Sequence, residues 1–134
     1  MDQLSVFLED KPGQLANFIK LLMENKIFIR ALTVAKTPDY GLLLVLVDKP
    51  EQCITLLEDN GYLLSTTNVI AIKLNDHPDA LYKIPKTLGD KNINIDYCYS
   101  TLVKDNSMLI VRVEDDVIEE AIKTLQKNGF TIIE

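Results

Sequence analysis

The sequence is poor in the residue types that build metal sites and nucleophilic catalytic sites. Its 134 residues include one histidine, His77, and two cysteines, Cys53 and Cys98, which are far apart and form no CxxC motif. Zinc sites built from histidine and cysteine therefore lack ligands, and a Ser-His-Asp triad would have only one possible base. We expect no metal and no other cofactor, and we expect the two thiols to be reduced in a cytoplasmic protein.

Long apolar runs and an excess of positive charge are missing as well. No stretch of about 18 uninterrupted apolar residues occurs, so no membrane span is predicted. The opening "MDQLSVFLEDK" has an acid at its second position and no long apolar core, so no signal peptide is expected. The formal net charge of −6 offers phosphate-rich partners no general attraction, so nucleic-acid binding is not expected.

The sequence does contain an internal repeat. A shift of 66 residues aligns Leu8 with Leu74, Asp10 with Asp76, Pro12 with Pro78 and Val45 with Val111. After a two-residue insertion, "NGY" at 60–62 meets "NGF" at 128–130. Such self-similarity over the whole chain indicates a duplication. We therefore predict two units, 1–67 and 68–134, joined by a connection too short to be a flexible linker.

Each unit has the same pattern of strands and helices. Leu4, Val6 and Leu8 alternate as in a half-buried strand, whereas the apolar residues of 15–22 recur at helical spacing. The first unit is predicted to have strands at 3–8, 27–35, 42–47 and 62–66 and helices at 12–25 and 50–59. The second is predicted to have strands at 69–74, 94–102, 108–113 and 130–133 and helices at 79–91 and 116–128. This order predicts an α+β fold of two ferredoxin-like βαββαβ units side by side, with antiparallel sheets and helices on one face.

The helix-free face of each sheet is predicted from the third strand of each unit. The alternating residues of these strands form two sets, and only one set tolerates a charge. That set is Leu42, Leu44 and Leu46 in the first unit and Met108, Ile110 and Arg112 in the second. We assign it, with Phe7, to the helix-free face. An apolar patch of this kind is seldom left in water, which predicts a homodimer through this face. The alternative is that the two units of one chain cover each other.

The corner between the first strand and the first helix is written twice, as "LEDKPGQLANF" at 8–18 and "LNDHPDALYKI" at 74–84. The first N–H groups of a helix lack internal partners and favour an anionic group. Gly13 has no Cβ, so a carboxylate could approach its backbone closely, and Asp10 could complement an ammonium group. An amino acid carries both charges. The alternative is a plain helix start with Asp10 as a capping residue.

A βαββαβ unit with the motif D-x-P-G-x-L at this corner resembles the ACT domain, a small-molecule sensing module of amino-acid metabolism. The duplicated chain resembles free-standing tandem ACT proteins of the amino-acid-binding regulatory type. The resemblance implies a non-enzymatic sensor that binds an amino acid at the interface between ACT units, near the first corner. The implied ligand-binding residues are Asp10, Lys11, Pro12, Gly13, Gln14, Leu15, Arg30, Asp76, Asn94 and Asp96.

The second corner departs from the ACT motif because Asp79 stands where the glycine belongs. A negative side chain there disfavours a ligand carboxylate, so we expect the first corner to have kept the ligand. The motif's asparagine at the opening of the second strand is matched by Asn94 in the second unit, whereas Phe28 holds that position in the first.

Two other functions remain open on the same fold. One is a protein–protein interaction module without a metabolite ligand. The other is a small acylphosphatase-like hydrolase, which would need an arginine and an asparagine near a glycine-rich corner. The two arginines, Arg30 and Arg112, both fall on predicted strands, which favours the sensor.

Overall fold

A computed structural model of the chain describes residues 1–36, 38, 40–74, 78–101 and 106–133. The chain divides into two compact units. We call Asp2–Thr67 the first unit, and Met1 together with Asn68–Glu134 the second unit. Within the described ranges, no helix is both long enough and apolar enough to cross a membrane.

The first unit has the predicted element order. Its elements are β1 (Asp2–Leu8), α1 (Gln14–Glu24), β2 (Ile29–Lys36), β3 (Gly41–Val47), α2 (Pro50–Asp59) and β4 (Leu64–Asn68). The strands form one sheet in the order β2-β3-β1-β4. Strand β3 is antiparallel to both β1 and β2, so β1 and β2 run parallel with β3 between them. This is the split βαβ arrangement.

The second unit repeats this arrangement. Its elements are β5 (Ile70–Lys73), α3 (Ala80–Asp90), β6 (Tyr97–Ser100), β7 (Met108–Arg112), a 3-10 turn (Asp115–Val117), α4 (Ile118–Lys127) and β8 (Ile132–Ile133). The sheet order is β6-β7-β5-β8, with β7 and β8 antiparallel to β5. The predicted α+β fold of two ferredoxin-like βαββαβ units is confirmed.

The helices of each unit pack on one face of its sheet, and the alternation of the strands determines which residues they cover. The first core contains Leu4, Val6, Leu8, Leu43, Val45 and Val47 against Phe18, Leu22, Cys53 and Leu57. The second contains Ile70, Ile72, Leu109, Val111 and Val113 against Ile84, Leu88, Ala121 and Leu125. The third-strand residues that were not assigned to the helix-free face thus lie in the core of each unit.

The residues assigned to the helix-free face lie outside both cores. Leu44, Leu46, Met108 and Ile110 are nevertheless buried in the single chain, whereas Phe7 is 42% exposed. Leu42 and Arg112 are half-buried. The homodimer expected through this face stays a prediction, for which Phe7 and Leu42 are the accessible apolar side chains.

Several predicted boundaries differ from the structure, and two of them bear on the predicted site. Helix α1 begins at Gln14 and not at residue 12, because Pro12 and Gly13 form a turn ahead of it. Strand β6 begins at Tyr97 and not at residue 94, so Asn94 and Asp96 lie in the segment that leads into the strand. The last helix is also preceded by a separate 3-10 turn.

Candidate functional site

The first corner, residues 9–13 between β1 and α1, is held by its own backbone. The Lys11 N–H donates to the Glu9 carbonyl at 2.9 Å, and the Asn17 N–H donates to the Gly13 carbonyl at 3.0 Å. Gly13 precedes the helix with φ +89° and ψ −11°, a left-handed backbone that favours glycine. No described atom beyond its chain neighbours lies within 4 Å of the place a Gly13 Cβ would take. The entrance to α1 is therefore open.

Charged side chains flank this entrance in two ion pairs. Asp10 Oδ2 lies 3.1 Å from Lys36 Nζ at the end of β2, and Glu9 Oε2 lies 2.9 Å from Lys11 Nζ. The hydrogen bond from Lys11 lowers the pKa of the Glu9 carboxyl. All four side chains are about half exposed or more. Water screens such exposed ion pairs strongly, so each pair is weak. A charged group of a ligand can therefore replace one member of a pair.

A depression of about 450 Å³ lies beside the corner, on the side of β4. The end of β1 and the start of α1 form part of its wall through Phe7, Leu8, Glu9 and Gln14, and residues 60–63 together with Tyr40 form the rest. These segments meet because the end of β1 and the starts of β3 and β4 lie at the same end of the sheet, the corner end. The first corner thus combines a helix start with a concave surface.

Arg30 lies far from this corner within the first unit. Lys36 and Leu8 both pair with Gly41 at the corner end of the sheet, whereas Ile29 pairs with Val47 at the other end. At about 3.3 Å per residue, the six residues from Arg30 to Lys36 span roughly 20 Å. The structure therefore brings together the corner residues Asp10, Lys11, Pro12, Gly13, Gln14 and Leu15 but not Arg30.

Asn94 and Asp96 lie together in the second unit, where Asn94 Nδ2 donates to Asp96 Oδ1 at 3.3 Å. The Asp96 N–H donates to the Arg112 carbonyl at 2.8 Å, at the end of β7 that lies away from the second corner. Lys73, at the corner end of β5, instead pairs with Met108 at the start of β7. In each unit, the motif's corner and the opening of its second strand thus lie at opposite ends of the sheet.

The described part of the second corner also borders a depression. Asp76 and His77 lie outside the described residues. Asp79 precedes α3 with φ −97°, and its Oδ2 lies 2.7 Å from Lys83 Nζ. A depression of about 210 Å³ is lined by Lys73, Leu74, Asp79, Ala80, Lys83 and residues 128–130, most of which are the repeat equivalents of the residues around the first depression.

Of the nine residues around the first depression, only Gln14 was among the predicted site residues. Glu9, Tyr40 and Leu63 are three of those that the sequence did not predict. They are separated by 20 residues or more along the chain, and only the sheet order brings them together. The aligned turns "NGY" and "NGF" could have indicated part of this depression. Each turn precedes the last strand of its unit, and in the first unit that strand, β4, pairs with β1, so the turn lies beside the corner that follows β1.

Comparison with known proteins identifies the family. A family model described as an ACT domain pair matches residues 1–133. The chain belongs to the ACT domain pair family. ACT domains are regulatory, and this membership makes the chain a regulatory ligand-binding domain pair. No curated protein matches this ACT pair.

Solved structures share the fold of this ACT pair. Protein BT0572 from Bacteroides thetaiotaomicron is 28% identical, with 98% of this chain and 90% of that one covered and a TM-score of 0.89. The ligand-free regulatory subunit of aspartate kinase from Thermus thermophilus is 16% identical, with 96% and 92% covered and a TM-score of 0.66. At 16% identity, the second likeness concerns the fold alone.

Proposed function

We propose that this ACT pair is a non-enzymatic regulatory protein that binds a free amino acid at its first corner. The observation that carries the proposal is the open helix start at Gly13 beside a concave surface. The Gln14 N–H donates to the Lys11 carbonyl at 3.3 Å, so the amides that follow it in the first turn of α1 would receive the ligand carboxylate, since a helix start favours negative charge. The carboxylates of Asp10 and Glu9 supply the complement for the ligand ammonium group.

The remaining predicted residues would have to come from a second ACT unit. Arg30, Asn94 and Asp96 lie at the ends of their own sheets that are remote from the corners. A site that unites a corner with the opening of a second strand therefore takes its two parts from two units. We propose that these residues, with Asp76 of the second corner, serve such shared sites, whether the other unit belongs to the same chain or to another copy.

The position of the arginines supports a sensor over a hydrolase. Arg112 donates to the Asn68 carbonyl at 2.9 Å and to Asp115 Oδ1 at 2.8 Å. It is thus engaged at the end of β7, and Arg30 opens β2. Neither guanidinium lies at the corner of its own unit, where an acylphosphatase-like enzyme would need one.

Binding is tested by thermal unfolding of the chain with each of the common amino acids in turn. We expect a chemically related group of them to stabilise the chain, by about 2.7 kcal/mol at a hundredfold of the dissociation constant. If none does so, the chain is not an amino-acid sensor, and the interaction module is the better account.

The placement is tested with Gly13→Asn, because asparagine tolerates positive φ better than most other residues. The added side chain should weaken binding tenfold or more. Gly129→Asn is the matched control, since Gly129 has φ +87° and equally open surroundings among the described residues of the other unit. Equal affinity of the Gly13→Asn variant and the unsubstituted chain would refute this placement.

We further propose a cytoplasmic homodimer. Cys53 and Cys98 are both free, which is compatible with a reducing compartment. The dimer is tested by sedimentation, in which a mass of about 15.2 kDa at micromolar concentration would exclude it.

A further inference from the structure

The depression at the first corner has apolar side chains at its mouth. Phe7 is 42% exposed, Tyr40 39% and Leu63 73%. The rings of Phe7 and Tyr40 meet edge to face, with centroids 5.1 Å apart. Single exposed apolar residues are ordinary, but several that converge on one concave surface mark a binding site.

The duplication supplies an internal comparison, because the second corner has the same backbone elements around its own depression. The shift of 66 residues places Lys73 at the position of Phe7 and Asn106 at that of Tyr40, and the shift of 68 places Thr131 at that of Leu63. Every apolar side chain at the mouth of the first depression thus has a polar equivalent. The apolar mouth is therefore a property of the first unit and not of the duplicated fold.

The two depressions also differ in size. Ligand pockets span about 300–1,000 Å³, so the first, at about 450 Å³, lies inside that range and the second, at about 210 Å³, lies below it. In the second corner, Lys83 and Asp79 form an ion pair at the rim, whereas the corresponding residues of the first corner are Asn17 and Gly13.

From these observations we propose that the first depression receives the side chain of the bound amino acid, and that the ligand is an amino acid with a large aliphatic or aromatic side chain. This inference rests on the proposed function. Gln14 links the two parts, since it is the first residue of α1 and also lines the depression. Glu9 lines the same depression, where its carboxylate is paired with Lys11 at 2.9 Å.

The inference is tested by calorimetric titration with leucine and phenylalanine on one side and glycine, serine and aspartate on the other. Leu63→Thr imports the residue of the second unit at a highly exposed position, so the fold should be retained. We expect this variant to bind leucine or phenylalanine at least tenfold more weakly. Met23→Thr is the matched control, because Met23 is 67% exposed at the other end of α1, and its affinity should be unchanged.

The outcomes separate the two proposals. Binding of glycine, serine or aspartate in preference to the apolar amino acids, or no effect of Leu63→Thr, would overturn this inference while leaving the proposed function intact. Binding of no amino acid would overturn the proposed function itself. If Leu63→Thr changes the sedimenting mass and Met23→Thr does not, the apolar side chains at the mouth form a contact between two copies of the chain. That result would also overturn the inference.

Discussion

Gly13 and Asp79 hold equivalent positions in the two units, but their backbones differ. Gly13 has φ +89° and Asp79 has φ −97°. Only the first conformation favours glycine, since an L residue adopts the second without strain. The second corner could therefore lose its glycine without cost to the fold. The glycine of the first corner has a conformational reason to be there, in addition to the access that it gives to a ligand.

This difference predicts that a β-branched residue is tolerated at one corner and not at the other. We expect Gly13→Val to lower the free energy of unfolding by about 1–2 kcal/mol, the cost of a left-handed backbone for a residue with a Cβ. Asp79→Val is the control and should cost less, because its backbone is not left-handed and the ion pair that it loses with Lys83 is exposed and therefore weak. Urea unfolding measures both, and equal losses would contradict the assigned backbone. For the same reason, Gly13→Asn and not Gly13→Val is the suitable variant for ligand binding.

A second backbone prediction concerns the turn after α1. Lys26 has φ +57°, and its repeat equivalent Asn92 has φ +59°. Lysine in this conformation is strained, whereas asparagine tolerates it better. Lys26→Gly should therefore raise the free energy of unfolding by about 1 kcal/mol. The substitution does not remove the hydrogen bond from Lys49 Nζ, because that bond is accepted by the backbone carbonyl of residue 26. Asn92→Gly should gain less, and a larger gain there than at Lys26 would count against the explanation.

The architecture could be predicted because it depends on periodic patterns that occur twice. The alternation of Leu4, Val6 and Leu8 determines which face of β1 is buried, and the same alternation in the third strands locates the core of each unit. Element ends were less predictable. Pro12 is compatible both with a first helical turn and with a turn that precedes the helix. The positive φ of Gly13 decides between these two possibilities, and the spacing of the apolar residues does not predict it.

The candidate site was predicted only in part, because its parts come from different segments. The corner residues 10–15 are contiguous and carry a motif. Tyr40 and Leu63 reach the same place only through the pairing of β3 and β4 with β1. Arg30 was included because of its strand, but the register places it at the opposite end of that strand from Lys36. Which end of β2 lies beside the corner became clear only from the strand order and the register.

The ion pair between Arg112 and Asp115 offers a prediction at the end of β7. The hydrogen bond and the charge of Arg112 lower the pKa of the Asp115 carboxyl. A lowered folded-state pKa means stabilisation that is present above the unfolded-state value and is lost as the pH falls through the folded-state value. Carboxyl titration by NMR should find Asp115 below its usual range in the unsubstituted chain and back within it in Arg112→Gln. An unchanged Asp115 titration in that variant would show that the pair does not persist in solution.

The buried thiol of Cys53 predicts a loss of stability at alkaline pH. Burial raises its pKa from 9.0 to about 11, because desolvation disfavours the thiolate. Between these values the unfolded chain binds fewer protons than the folded chain, so the free energy of unfolding falls as the pH rises, by at most about 1.4 kcal/mol per pH unit. Urea unfolding from pH 8 to pH 11 should therefore show a steeper decline for the unsubstituted chain than for Cys53→Ala. Cys98→Ala retains the buried thiol and should keep the steeper decline. Parallel curves for the unsubstituted chain and Cys53→Ala would mean that the thiol meets water in the folded protein.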